Sequence, residues 1–189
     1  MSAIDRPVSI AWDQILNEIR AIALRNEIVL EEVPAPQKLA PHALALTADV
    51  DIDVATGRFV LLHDPQGQDG WSGAYRCVTF SRAAIELELA NDPSLCDVSW
   101  SWLIESLVAN GADYHNPSGT VTRVASSSYG ELDGRDEDSE VEVRASWTPS
   151  SGNNIVAHVM SWVNLLEKIS GLEPLPEGVA QLPNKRLGK

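Results

Sequence analysis

Residues 43–54, ALALTADVDIDV, alternate apolar residues with polar or small ones over a whole strand's length. Residues 141–148, VEVRASWT, repeat the pattern. Val141, Val143, Ala145 and Trp147 fall on one face, and Glu142, Arg144 and Ser146 on the other. A period of two is the signature of a strand with one buried and one solvated face. Such strands need a cover on one side only, and antiparallel sheets are the ones that tolerate a wet face. This constrains the fold more than any other feature of the chain.

RFVLLHD (58–64), following the turn signal ATG, predicts a hairpin partner for the 43–54 strand. AYRCVTF (74–80) predicts a third strand after the glycine-rich loop PQGQDGWSG. SGTVTRVASSSY (118–129) predicts a fourth, paired in a long hairpin with VEVRASWT across the acidic segment GELDGRDEDSE. Helical spacing occurs elsewhere. Trp12, Ile15, Leu16, Ile19 and Ile22 recur at three and four within 9–26. In NNIVAHVMSWVNLLEKISG the stripe is Val156, Val159, Met160, Val163, Leu166 and Ile169, with His158 expected on the polar side. DVSWSWLIESLVANG predicts a helix faced by Trp100, Leu103, Ile104, Leu107 and Val108 and ended by Gly111. SRAAIELELANDP fits either period. Ser81 as a cap and the Asp92-Pro93 stop favour a short helix. VLEEVPAPQKLAPH, with three prolines, reads as an extended connector or edge segment.

The element order is α-β-β-β-α-α-β-β-α. Short links between neighbouring strands predict an α+β fold, with a five-stranded antiparallel sheet and helices mainly on one face. Residues 1–172 are expected to form a single domain, with 173–189 a proline-rich extended tail.

Fourteen Lys and Arg stand against 27 Asp and Glu, a net charge of −13. Phosphate backbones and anionic membranes are held mainly by basic side chains, so this balance argues against direct nucleic-acid or membrane binding. It leaves room for a basic partner. Cys77 and Cys96 lie in no CxxC pair and read as buried free thiols. No signal-peptide pattern opens the sequence and no apolar run is long enough to span a bilayer, so a cytoplasmic location is expected.

Trp100 and Trp102 lie about 200° apart around a helix, so the two rings cannot share one narrow face. Trp102 goes with Glu105, Ser106 and Ala109. It is either an exposed anchor for a partner or is covered by a neighbouring element. His63 and Asp64, beside Asp69 and Trp71 with Arg82 further on, form a second candidate, a ligand site with a base oriented by a carboxylate. No nucleophile or oxyanion donor stands near in sequence, and a surface bend explains the same residues. GQDGWSG lacks the GK[ST] of a phosphate loop and the GxGxxG of a dinucleotide loop. Asp113, His115 and His158 have no metal-site spacing, and the acidic run 131–140 lacks the calcium-loop pattern. No cofactor and no metal are expected, and no catalytic residue is singled out.

Taken together, LEEVPAPQKLAPHALAL, GRFVLLHDPQGQDGWSG, VSWSWLIESL, SGTVTRVASSSYGEL and VRASWTP resemble the actinobacterial domain of unknown function numbered three thousand. The resemblance runs from the first helix to the proline-rich tail. It implies an actinobacterial, cytoplasmic protein of about this size and brings no catalytic residues with it. The order α-β-β-β-α-β-β-α is also similar to that of class I type III secretion chaperones, small acidic dimers that bind segments of other proteins. The leading expectation is therefore a non-enzymatic protein-binding or chaperone-like module, a homodimer joined near Trp102. The alternatives are a small-molecule site or enzyme around His63 to Arg82, and an acidic partner of a basic RNA-processing protein.

Overall fold

The computed structural model describes residues 8–51, 54–132 and 138–173. The alternating stretches pair as their periods require. β2 (His42–Val50) and β3 (Ala55–Gln68) form one antiparallel hairpin, and β5 (Tyr114–Ala125) and β6 (Ser139–Pro149) form another. The ATG expected as the turn of the first hairpin is not one: β2 ends at Val50, and Ala55, Thr56 and Gly57 begin β3, each paired on both sides. β4 (Gly73–Ala84) lies between β3 and β6. The described sheet has six strands, not five, because part of the proline-bearing segment also pairs. Ile28–Val33, β1, lies antiparallel to β2 at the edge. Its amides are free to pair because Pro34, Pro36 and Pro41 all come after it. The order across the sheet is β1-β2-β3-β4-β6-β5.

The stretch 81–93 is mostly not helix. Ser81 to Ala84 finish β4, and only Leu87–Ala90, α2, is helical. Ser81 caps nothing. It is a buried strand residue whose Oγ accepts the indole N–H of Trp162 at 3.1 Å. The remaining helices are α1 (Val8–Arg20), α3 (Leu95–Ala109) and α4 (Ile155–Ile169). They contact the face from which the core residues point. Across it, Ala48, Gly57 and Ser81 align on adjacent strands as a row of small residues. α4 fills that row with Trp162. A Cβ on Gly57 would come within 3.0 Å of both Trp162 and Leu166, so glycine is needed there.

The polar side of α4 is not where it was expected. His158, Ser161 and Leu165 are buried along with Val159, Val163, Leu166 and Ile169, whereas Val156 and Met160 of the expected stripe are half-buried with Asn164, Glu167 and Lys168. α4 is central: the sheet lies beneath it and α3 and α1 lie against it. Two indoles hold it to the sheet, since Trp147 Nε1 also donates to His158 Nδ1 at 3.0 Å. α3 meets α4 through a small, polar contact. Ser161 Oγ donates to the Ser106 carbonyl at 3.1 Å, and Asn110 Nδ2 to Asn164 Oδ1 at 2.8 Å. The stripe expected on α3 is therefore rotated. Ser99 and Ser106 are buried, whereas Val108 is 69% exposed. Trp100 instead covers β5, where a Cβ on Gly119 would lie 2.7 Å from its ring. α1 rests on the sheet through Trp12 and is tied to β1 by Arg20, which reaches both carboxylate oxygens of Glu32. None of the helices described is long and apolar enough to cross a membrane.

Candidate functional site

His42, His63 and Tyr75 are register partners on β2, β3 and β4 and face the helices. Trp12 joins them to make a four-ring stack, with centroids 4.2 Å apart for His63–Tyr75 and 5.4 to 5.6 Å for the other pairs. His63 is only 4% exposed. Burial pushes its pKa down, His42 adds to this, and Asp64 opposes it. Its Nδ1 meets no hydrogen-bond partner among the described residues. Asp64 closes the bend beyond it, accepting the Gln66 N–H at 3.1 Å and the Gln68 amide at 3.2 Å. Asp69 is exposed in the connection that follows, and the Trp71 carbonyl accepts the Thr148 hydroxyl at 2.7 Å. These four share one end of a hairpin. Arg82 does not join them. It pairs with Thr56 at the far end of β4, roughly 23 Å away at a strand's rise of about 3.3 Å per residue, and bridges Glu140 at 3.5 Å.

The α3 group is placed differently from an exposed anchor. Trp102 is half-buried and packs against the core, and Ser106 is buried with its hydroxyl on the Trp102 carbonyl. Glu105 bridges Lys168 of α4 at 3.1 Å. Ala109 lies on the rim of a cavity of about 390 Å³ between α3 and α4. This side of α3 is largely taken up by its neighbour. Of the acidic run, Glu131 belongs to a 3-10 turn at Gly130–Leu132, and Asp133, Asp136 and Glu137 lie outside the described residues. So does the tail from 174 on. Cys77 is a buried free thiol, as expected, whereas Cys96 is half-buried. Burial pushes the Cys77 thiol up. Among the described residues no group of three or more His, Cys, Asp and Glu side chains could hold a metal.

The other face of the sheet is open only in part among the described residues: Ala45, Leu62 and Thr148 on it are buried, whereas its middle around Val78 is not. The alternation that sends Phe59, Leu61, Cys77, Val143 and Trp147 into the core sends Arg58, Val60, Arg76, Val78, Phe80, Arg144 and Ser146 the opposite way. Val78 is 40% exposed. The register sets Phe80 between Arg58 and Arg144, and Val78 between Val60 and Ser146. The Arg144 guanidinium lies over the Phe80 ring, 5.3 Å from its centroid. These side chains border a groove of about 530 Å³ that continues across to Ser118 and Thr120 of β5. At one end Arg76 fans across the strands. It donates to Thr148 Oγ1 (2.9 Å), Ser146 Oγ (2.6 Å), Ser118 Oγ (3.4 Å) and the Asn116 carbonyl (3.1 Å). At the other end Arg58 reaches the Pro34 carbonyl at 3.4 Å. The arrangement offers apolar contact and positive charge together on a surface four strands wide.

Sequence reading passed over this groove, although a signal for it is present. RFVLLHD and AYRCVTF do not alternate cleanly. Each puts apolar residues at positions that its period assigns to solvent. β5 beyond the groove is mostly exposed and β6 is the one strand it pairs with, which leaves an edge among the described strands.

A family model described as Protein of unknown function (DUF3000) matches residues 8–180. No curated protein and no solved structure matches the chain.

Proposed function

The chain belongs to the family Protein of unknown function (DUF3000), and from its own surface we propose that it is a non-enzymatic protein-binding module whose docking face is the bare side of the sheet. The observation that carries this reading is the combination in one groove of exposed Val78 and half-buried Phe80 and Val60 with the guanidinium groups of Arg58 and Arg144, and with Arg76 at its end. Apolar side chains rimmed by arginine are the composition of a protein contact. The groove is shallow and open along its length, whereas small-molecule sites enclose most of their ligand. A protein segment suits it better, and the free edge of β5 lies beside it. The histidines already serve the fold: His63 within the ring stack, and His158 as acceptor of the Trp147 indole. The free thiols of Cys77 and Cys96 suit a reducing compartment, so the reading goes with a cytoplasmic module.

Placing a photo-activated cross-linking residue at Val78, and as a control at Val108 on α3, tests this reading in extracts of the source organism. We expect discrete protein adducts at Val78 that disappear when Arg58 is also changed to Glu, and none in common with Val108. Adducts of equal pattern at both positions, or adducts indifferent to Arg58, overturn the assignment of the face.

A further inference from the structure

We infer that the segment bound on the bare face is extended and acidic, with two carboxylates flanking an apolar side chain. This rests on the proposal that the face docks a protein.

The basis is an imbalance of charge pairing. Four of the described arginines have a carboxylate partner close by in space: Arg20 has Glu32, Arg25 has Glu27, Arg82 has Glu140 and Arg144 has Glu142. In a chain of net charge −13 that is the ordinary situation. Among the described residues Arg58, Arg76 and Arg123 have no ion pair, and since the Asp92 carboxylate acts on Arg123, it is Arg58 and Arg76 that stand out. Their contacts are all to neutral oxygens, one carbonyl for Arg58 and three hydroxyls and a carbonyl for Arg76. A neutral oxygen satisfies an N–H but leaves the charge uncompensated. Burial accordingly pushes the Arg76 pKa down, whereas Glu32 and Glu27 push those of Arg20 and Arg25 up.

The hydroxyls point to the same chemistry. Each accepts from Arg76, so its own hydrogen must go elsewhere. Thr148 gives its hydrogen to the Trp71 carbonyl. Ser118 and Ser146 lie 3.2 Å apart and can share only one hydrogen between them. One serine hydrogen is left to meet an incoming oxygen beside the guanidinium. A carboxylate would accept from both.

The spacing then specifies the segment. Arg76 and Phe80, the register partner of Arg58, stand four residues apart on β4, about 13 Å along the strand, with Val78 midway and Val60 next to it. An extended peptide has the same rise. Carboxylates four residues apart, with an apolar side chain at the second residue between them, would meet Arg76, Val78 and Arg58 in turn. A second copy of this chain is a poorer occupant. Two-fold stacking of the bare faces would set the uncompensated arginines of one copy against those of the other.

The test is fluorescence anisotropy with labelled nine-residue peptides on the full chain. One peptide carries glutamates flanking a valine at that spacing, one has both glutamates replaced by glutamine, and a labelled single-stranded oligonucleotide serves as the other polyanion. We expect the acidic peptide to bind about tenfold tighter than the glutamine one, since each solvated pair adds a modest increment. That difference should shrink in roughly 0.2 M salt. Arg58→Gln, an exposed position, should remove most of it, and Arg76→Gln the rest. Equal binding of the two peptides, or Arg58-dependent binding of the oligonucleotide in place of the peptide, overturns the inference. Protein adducts at Val78 without peptide discrimination would leave the docking face standing and discard its acidic partner. Loss of the adducts would overturn the docking face itself, and this inference with it.

Discussion

Replacing His158 with glutamine separates one buried proton from the rest of the acid response. His158 is 2% exposed, and its Nδ1 accepts the indole N–H of Trp147 at 3.0 Å. The nitrogen can accept only while unprotonated. A proton there would face another donor and place a charge in the core. Burial pushes the pKa from 6.5 down to about 4, with Asp113 opposing. A base depressed in the folded state contributes its full stability above the unfolded value, near pH 6.5. The contribution is lost as pH falls through that value towards 4. At 1.36 kcal/mol per pKa unit the loss is about 2 kcal/mol by pH 5 and about 3 kcal/mol by pH 4. Glutamine can offer its side-chain oxygen to Trp147 and does not titrate. The assay is urea unfolding of both proteins between pH 7.5 and 5. The variant should be the less stable at pH 7.5, by about 1 kcal/mol for an imperfect fit. By pH 5 the gap should shift by about 2 kcal/mol, which leaves the variant the more stable by about 1 kcal/mol. His63 titrates in both proteins and cancels. A gap independent of pH would refute the reasoning, because it would mean that His158 takes up no proton on unfolding.

Gly119→Val should destabilise the protein by about 2 kcal/mol or more, since the new Cβ would meet the Arg144 carbonyl and the Trp100 ring. The tryptophan emission should shift as Trp100 leaves β5, and unchanged stability would mean that β5 can move aside. Trp12→Ala should release α1 selectively. The Trp12 ring stacks on His42 and His63, so hydrogen exchange in Val8–Arg20 should quicken while β3 and β4 keep their protection. Uniform exchange across the chain would show that α1 opens only with the whole fold.

Much of the fold can be read from local pattern. The alternation in 43–54 and 141–148 predicted strands with one buried face, and both hairpins form, because a period of two allows a chain only one way to separate its apolar side. The edge strand Ile28–Val33 was harder to see, since the prolines after it mask six residues that can still pair. The stretch 81–93 carried both periods. Only the register with β3 and β6, which places Ser81 beneath Trp162, decides in favour of strand up to Ala84.

The candidate residues divide in the same way. That His63, Asp64, Asp69 and Trp71 lie together follows from their closeness in sequence. That Arg82 is remote, and that His63 lies beneath Trp12, does not. By itself the sequence determined which residues alternate, which recur with helical spacing, the acidic balance and the family, because these are properties of neighbours along the chain. The tertiary structure alone decided that His158 and Ser161 of α4 are core, that Ser106 meets α4, and that Trp102 is half-buried against the core rather than exposed. It also decided that the middle of the outer face, around Val78, stays open among the described residues, with Arg58 and Arg76 lacking carboxylates there. A side chain's burial and its charge partners depend on which distant segment comes to rest against it, and no local pattern encodes that.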